Sequence, residues 1–213
     1  MGGRTCLAAA ALSACAAALV SCAPDPPHTS IGEAGLALTT GTVGPVESLP
    51  GSTPADRRGE DVVAGLDADG DGQAELYFGV PGAAGGAGRV YGFEYIDGEL
   101  PVQPDFAEIG PGFGWGATLE GAGDVNGDGY DDLLIGSLTW DGGEVEEGGV
   151  WLHLGSASGL LTTAAWAGEG EQAGAHWGRT ASLGDVDGDG YSDFAVGAWH
   201  WDGNAGQDAG KVD

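Results

Sequence analysis

Three short stretches hold a dense set of oxygen donors at matching spacing: DADGDGQAE at 67–75, DVNGDGYDD at 124–132 and DVDGDGYSD at 185–193. Position 1 of each is Asp67, Asp124 or Asp185, and position 3 is Asp69, Asn126 or Asp187. Position 5 is Asp71, Asp128 or Asp189, and position 9 is Glu75, Asp132 or Asp193. Carboxylates this close repel one another unless a cation lies between them. A hard divalent ion such as Ca²⁺ takes six to eight oxygens at about 2.3–2.6 Å, which alternate side chains of a tight loop can supply. Glycine at position 6 (Gly72, Gly129, Gly190) permits the chain reversal that gathers them. Position 7, occupied by Gln73, Tyr130 or Tyr191, offers a backbone carbonyl whatever its side chain. These fifteen residues, at positions 1, 3, 5, 7 and 9, are the candidate ligands of about three Ca²⁺ sites.

Other ions suit the loops less well. Mg²⁺ prefers a smaller octahedral shell with several waters. Zinc favours His or Cys, and neither occurs in any of the loops. The spacing also begins like an EF-hand, which closes with a bidentate Glu at position 12. Here position 12 is Phe78, Ile135 or Val196, each inside an apolar run. The loops therefore read as joining strand to strand. As isolated features they could be Asp-Gly or Asn-Gly hairpin turns, but the threefold donor pattern favours a cation.

The elements that position these loops must be short. The 213-residue chain contains 44 glycines, about three times the usual share of roughly 7%. With 42% hydrophobic residues and seven tryptophans it still has the means to build a core. In VWLHL, at 150–154, Val150, Leu152 and Leu154 alternate with Trp151 and His153, the period-two signature of a strand. The loops start 57 and then 61 residues apart, and their surroundings repeat too. LYFGV, LLIGS and FAVGA follow the three loops, and WDGG and WDGN follow the latter two. Trp115-Gly116-Ala117-Thr118 likewise matches Trp177-Gly178-Arg179-Thr180. About 60 residues per unit accommodate four short strands, the pattern of a β-propeller blade. The repeats run too long for WD40 units of about 40–45 residues, despite two Trp-Asp pairs.

The order aromatic-Gly, acidic loop, apolar strand ending in Gly resembles the FG-GAP repeat, which builds the seven-bladed propeller of integrin α subunits. The aromatic-Gly pair is Phe113-Gly114 or, better aligned, Trp115-Gly116, and then Trp177-Gly178. The second element is Gly79-Val80-Pro81, Gly136-Ser137-Leu138 and Gly197-Ala198-Trp199; the first unit lacks a clear aromatic-Gly pair. The resemblance covers roughly 60–213 and implies an all-β fold of three blades, part of a seven-bladed propeller. Repeats are expected at 60–110, 111–173 and 174–213, the last incomplete.

The N-terminus is of another kind. Arg4 precedes an apolar run from Cys6 to Val20, shorter than the ~20 residues that span a bilayer as a helix. A positive flank and short apolar core mark a secretory signal. Leu19-Val20-Ser21-Cys22 resembles the lipobox of bacterial lipoproteins, which implies cleavage of residues 1–21 and acylation of Cys22. Cys6 and Cys15 would leave with the signal, so the mature chain would form no internal disulfide. Ala23 in place of Asp after that cysteine implies outer-membrane or cell-surface display rather than inner-membrane retention. Residues 22–59 are rich in Pro, Gly and Thr and read as a tether.

Charge excludes some partners. With 33 acidic against 6 basic residues the net charge is −27, which repels nucleic acid and bare anionic membranes. No nucleophile-elbow, zinc-protease or Walker motif is present; His153, His176 and His200 read as packing or surface residues. The expected function is a calcium-binding, lipid-anchored surface module for adhesion or recognition of a protein or glycan ligand, not an enzyme. The alternative is the accessory propeller of a larger surface enzyme with catalysis elsewhere.

Overall fold

The computed structural model describes residues 55–94, 101, 103–204 and 206–213. The signal-peptide segment 1–21, Cys22 and the tether up to 54 lie outside the described residues. The fold is all-β, with one 3-10 turn at Ala84–Gly86 and no α-helix among the described residues. A first antiparallel meander is formed by β1 (Val62–Leu66), β2 (Glu75–Gly79), β3 (Arg89–Phe93) and β4 (Phe106–Ile109). A second follows the same order with β5 (Thr118–Gly123), β6 (Asp132–Ser137), β7 (Gly149–His153) and β8 (Trp166–Glu169). The third sheet consists of β9 (Trp177–Gly184), β10 (Asp193–Ala198) and β11 (Lys211–Val212). Three antiparallel sheets of this kind are propeller blades.

The blades pack face on face, with β1, β5 and β9 side by side. Leu66, Ala68, Tyr77, Val90 and Phe106 of the first blade enclose Trp115, Leu119, Leu133 and Ile135 of the second. One blade further on, Ala122, Leu134 and Val150 meet Trp177 and Val196 in the same way. The alternation read in β7 is borne out: Val150 and Leu152 face the third blade, while Trp151 packs toward the first. His153 is a packing residue, its buried ring edge-on to Trp115 and Phe106 and its Nδ1 2.9 Å from the Leu161 carbonyl.

The geometry accounts for the paired glycine motifs. Gly116 N–H donates to the Gly136 carbonyl in its own blade, while its carbonyl oxygen lies against Gly79 of the preceding one. A Cβ on Gly79 would fall 1.8 Å from that oxygen, and one on Gly136 would fall 2.5 Å from the Gly178 oxygen. The aromatic-Gly turn of each blade thus plugs into a hole left by the missing side chain of the blade before. Trp115 is the buried member of the pair, and Phe113 is mostly exposed. The first unit does have a counterpart, which the sequence conceals. Gly59 N–H donates to the Gly79 carbonyl as Gly116 does to Gly136, and Arg58 stands where Trp115 stands. Its guanidinium lies 5.3 Å from the Phe78 ring centroid and 5.1 Å from that of Tyr91, a cation replacing an aromatic on an aromatic face.

Glu147, which sequence reasoning passed over, fixes the long β6–β7 connection. It is buried, and its Oε1 accepts from the N–H groups of Gly142, Gly143 and Glu144 while Oε2 accepts from Glu171. Burial alone would raise its pKa, yet those four donors together hold it below the ordinary carboxylate value. Glu147→Gln keeps the shape but turns one end into a donor facing donors. A loss of about 1–3 kcal/mol is expected from the broken bonds, readable as a lower urea midpoint at unchanged slope.

Candidate metal loops

Each acidic loop joins the first two strands of a blade, so all three lie at the same end of their sheets. Just before each loop the first strand bulges, at Gly65, Ala122 and Leu183, turning the chain out of the sheet. Side chains then organise the loop locally. The carboxylate at position 1 accepts from the N–H of position 6, at 3.1 Å for Asp67, 2.9 Å for Asp124 and 3.0 Å for Asp185. Position 3 accepts from the N–H of position 5, and position 5 from that of position 7, in all three loops. The acid at position 9 reaches back to the N–H of position 2: Glu75 to Ala68, Asp132 to Val125 and Asp193 to Val186.

The loops differ in what is left over. In the first, carboxylate oxygens of Asp67, Asp69, Asp71 and Glu75 lie within 4.8 Å of one another. Glu75 is buried, and its Oε1 and the Asp67 Oδ1 are enclosed without any hydrogen-bond partner. Burial first, then Asp69, Asp67 and Asp71, push Glu75 up to about 7 against one opposing bond from Ala68. In the third, Asp185, Asp187 and Asp193 converge within the same limit, and Asp189 is not in the group. In the second, Asn126 replaces a carboxylate and its amide donates to Asp128 Oδ2 at 2.9 Å. Asp124, Asp128 and Asp132 form no such group, and both Asp132 oxygens already accept backbone bonds, from Val125 and Gly155. Burial, with smaller contributions from Asp128 and Asp124, raises Asp132 against those two bonds.

Consecutive loops also touch. Asp131 N–H donates to the Asp67 carbonyl at 3.0 Å, and Ser192 N–H to the Asp124 carbonyl at 2.8 Å. The Tyr130 ring covers Gly70 and the Tyr191 ring covers Gly127, closely enough that a Cβ on either glycine would collide with the ring. The side chain at position 7 therefore has a packing role that a backbone-only reading of Tyr130 and Tyr191 missed. Gln73 holds the same position in the first loop, where its amide bonds Asp71 at 2.8 Å.

With the repeated blade and loop geometry in place, the comparisons agree with it. The FG-GAP-like repeat family matches residues 124–196. Over that stretch the chain carries an FG-GAP-like repeat. It is similar to integrin alpha-4 of Xenopus laevis, 35% identical over 113 residues, covering 52% of this chain and 11% of that protein. Integrin alpha-PS2 of Drosophila melanogaster is 34% identical over 142 residues, covering 62% and 10%. Integrin alpha-6 of Gallus gallus is 30% identical over 146 residues, covering 64% and 13%. The chain spans about a tenth of the length of these relatives. The FG-GAP repeat thus accounts here for a plug, Trp115-Gly116 or Trp177-Gly178, and its socket, Gly79 or Gly136.

Proposed function

We propose that this chain is a calcium-stabilised, lipid-anchored β-propeller module of a bacterial cell surface, used for adhesion or for recognition of a protein or glycan ligand. The observation that carries the calcium reading is the pair of enclosed, unpartnered oxygens on Asp67 and Glu75 amid four converging acids. A donor set made only of oxygen suits a hard ion, and its charge suits one with two positive charges. Asp67, Asp69, Asp71 and Glu75 would hold one ion, and Asp185, Asp187 and Asp193 another. Asp124, Asn126, Asp128 and Asp132 would complete a weaker third site, with Gln73, Tyr130 and Tyr191 lending carbonyls at position 7. The ion neutralises the loop and locks the first two strands of a blade together. Because consecutive loops are hydrogen-bonded, that rigidity extends across the blade interfaces.

The adhesion reading draws on similarity to integrin α chains. Cells displaying the full-length protein should bind a panel of immobilised matrix proteins and glycans more strongly in calcium than in chelator. Equal retention with and without the protein at the surface would refute adhesion. For the anchor, a Cys22→Ser precursor expressed in a lipoprotein-processing bacterium should lose fatty-acid labelling and move out of the membrane fraction. Two or more acyl chains give stable attachment, each buried CH₂ contributing about 0.8 kcal/mol. Undiminished labelling of the variant would rule out Cys22 as the lipidated residue.

A further inference from the structure

The second acidic loop departs from the third at a single ligand position. Residues 124–130 read DVNGDGY and residues 185–191 read DVDGDGY, so Asn126 against Asp187 is the whole difference. Asn126 is one of two asparagines in the 213 residues, the other being Asn204, and it alone precedes a glycine. We propose that Asn126 is a site of spontaneous deamidation, and that the aspartate formed there completes a cation site like that of the third loop. The consequence rests on the calcium reading of the loops; the deamidation does not.

The reaction begins when the backbone nitrogen after an asparagine reaches the side-chain carbonyl carbon and closes a succinimide. Glycine in that place puts no side chain in the way and leaves the backbone free to turn; Gly127 adopts φ 76°. Asn126 and Gly127 are both exposed, so water reaches them. The loop also surrounds the reacting groups with polar partners. Asp128 N–H donates to Asn126 Oδ1 at 3.0 Å, drawing charge from the carbon to be attacked. Gly127 N–H donates to Asp124 Oδ1 at 2.7 Å, a carboxylate within reach of the proton to be removed. The leaving nitrogen, Asn126 Nδ2, donates to Asp128 Oδ2 at 2.9 Å. In the first step a bond forms between Gly127 N and Asn126 Cγ, the Cγ–Nδ2 bond breaks, and ammonia leaves with the proton from Gly127 N. In the second step one water opens the ring. Cleavage between Gly127 N and the side-chain carbon restores the backbone and leaves a carboxylate at position 126. Cleavage at the main-chain carbonyl gives isoaspartate instead.

The third loop shows what the aspartate would do. Its convergent carboxylates stand at positions 1, 3 and 9, as Asp185, Asp187 and Asp193. The second loop already has acids at positions 1 and 9, Asp124 and Asp132, and lacks only the one at position 3. The backbone there is arranged alike, since Asp189 N–H donates to Asp187 Oδ1 at 3.0 Å just as Asp128 N–H does to Asn126. An oxygen in place of Nδ2 would face Asp128 Oδ2, and a hydrogen bond would become a repulsion that a cation relieves. Ligand charge sets the calcium affinity of such loops, so the loop that holds the ion least would come to match the third. Backbone bonds join it to both neighbouring loops, and both blade junctions would feel the change.

The experiment incubates the folded full-length protein at mildly alkaline pH and then digests it at acidic pH, which arrests ring closure. Peptide mass spectrometry should find NH₂ replaced by OH at position 126, in part as isoaspartate, with Asn204 unchanged. The Asn126→Gln variant, its side chain too long to form a succinimide, should show no conversion. Calorimetric titration should show the Asn126→Asp variant binding its weakest calcium about tenfold tighter than freshly prepared protein. Absence of conversion, or equal conversion at 126 and 204, would overturn the proposal. So would an Asn126→Asp variant of unchanged calcium affinity while the first and third loops still respond. Loss of the calcium response from every variant, wild type included, would refute the calcium reading together with this site. Should circular dichroism show the Gln variant unfolded, Asn126→Ser carries the same expectation.

Discussion

Removing calcium from the full-length protein is expected to lower its melting temperature by roughly 10 °C or more and to invert the pH dependence of its stability. An ion bound only by the folded state stabilises it by about 2.7 kcal/mol at a hundredfold excess over Kd. The two convergent loops then contribute about 5 kcal/mol, and a domain of this size shifts by about 2–4 °C per kcal/mol. The inversion follows from Glu75. Without metal its folded pKa is about 7 against an ordinary 4.5, so between those values the folded state binds more protons than the unfolded. Stability is therefore full below about pH 4.5 and is lost as pH rises through 7. Asp132, also raised, acts in the same direction, and so does the self-repulsion of a chain of charge −27. His153, depressed by burial, opposes them weakly by losing stability as pH falls below its ordinary 6.5. With calcium the ion replaces the proton, and the protein should be more stable at pH 7.5 than at pH 5. Asp69→Ala should remove more of the calcium response than Asp128→Ala, because Asp69 belongs to a convergent group and Asp128 does not. A melting temperature indifferent to calcium and chelator at both pH values would reduce the loops to turns.

The second large effect is expected from a single methyl group. Gly79→Ala places its Cβ 1.8 Å from the Gly116 carbonyl oxygen, a backbone atom of the next blade. No side chain can rotate away, so the blades must separate or the Gly116 turn must move, uncoupling Trp115 from its core. Overpacking typically costs 1–3 kcal/mol and sometimes more; a backbone obstacle across a domain interface places this variant at about 3 kcal/mol or above. Gly143→Ala, in the exposed β6–β7 connection away from any blade interface, supplies the control. Its nearest atom would be Glu147 Oε1 at 3.9 Å, ordinary van der Waals contact, so its effect should be within about 0.5 kcal/mol. Denaturant unfolding of the two variants side by side measures the difference. Equal midpoints would mean that the glycine socket does not hold the blades together.

Much of this was legible in the sequence because it is local. A nine-residue loop closes on itself, so the donors at positions 1, 3, 5 and 9 and the bends between them follow from spacing and from glycine at position 6. The strands follow from two-residue alternation, and the blade follows from repetition of both. What escaped the sequence is separated by some sixty residues and depends on how blades dock. Arg58 in the place of Trp115 is invisible until Gly59 is seen bonded to Gly79. The packing of Tyr130 and Tyr191 on the glycines of the preceding loop appears only when one loop meets the next. Sequence pattern made the three loops equal, yet tertiary burial made them differ. Glu75 is enclosed with one oxygen unpaired, whereas Asp132 gains a second backbone donor from Gly155, just past β7 of its own blade. His176 and His200, whose ring centroids lie 5.0 Å apart, are separated from each other in sequence by whole strands. Their proximity was decided by the turns between strands, whose course is set by buried groups such as Glu147 rather than by any spacing along the chain.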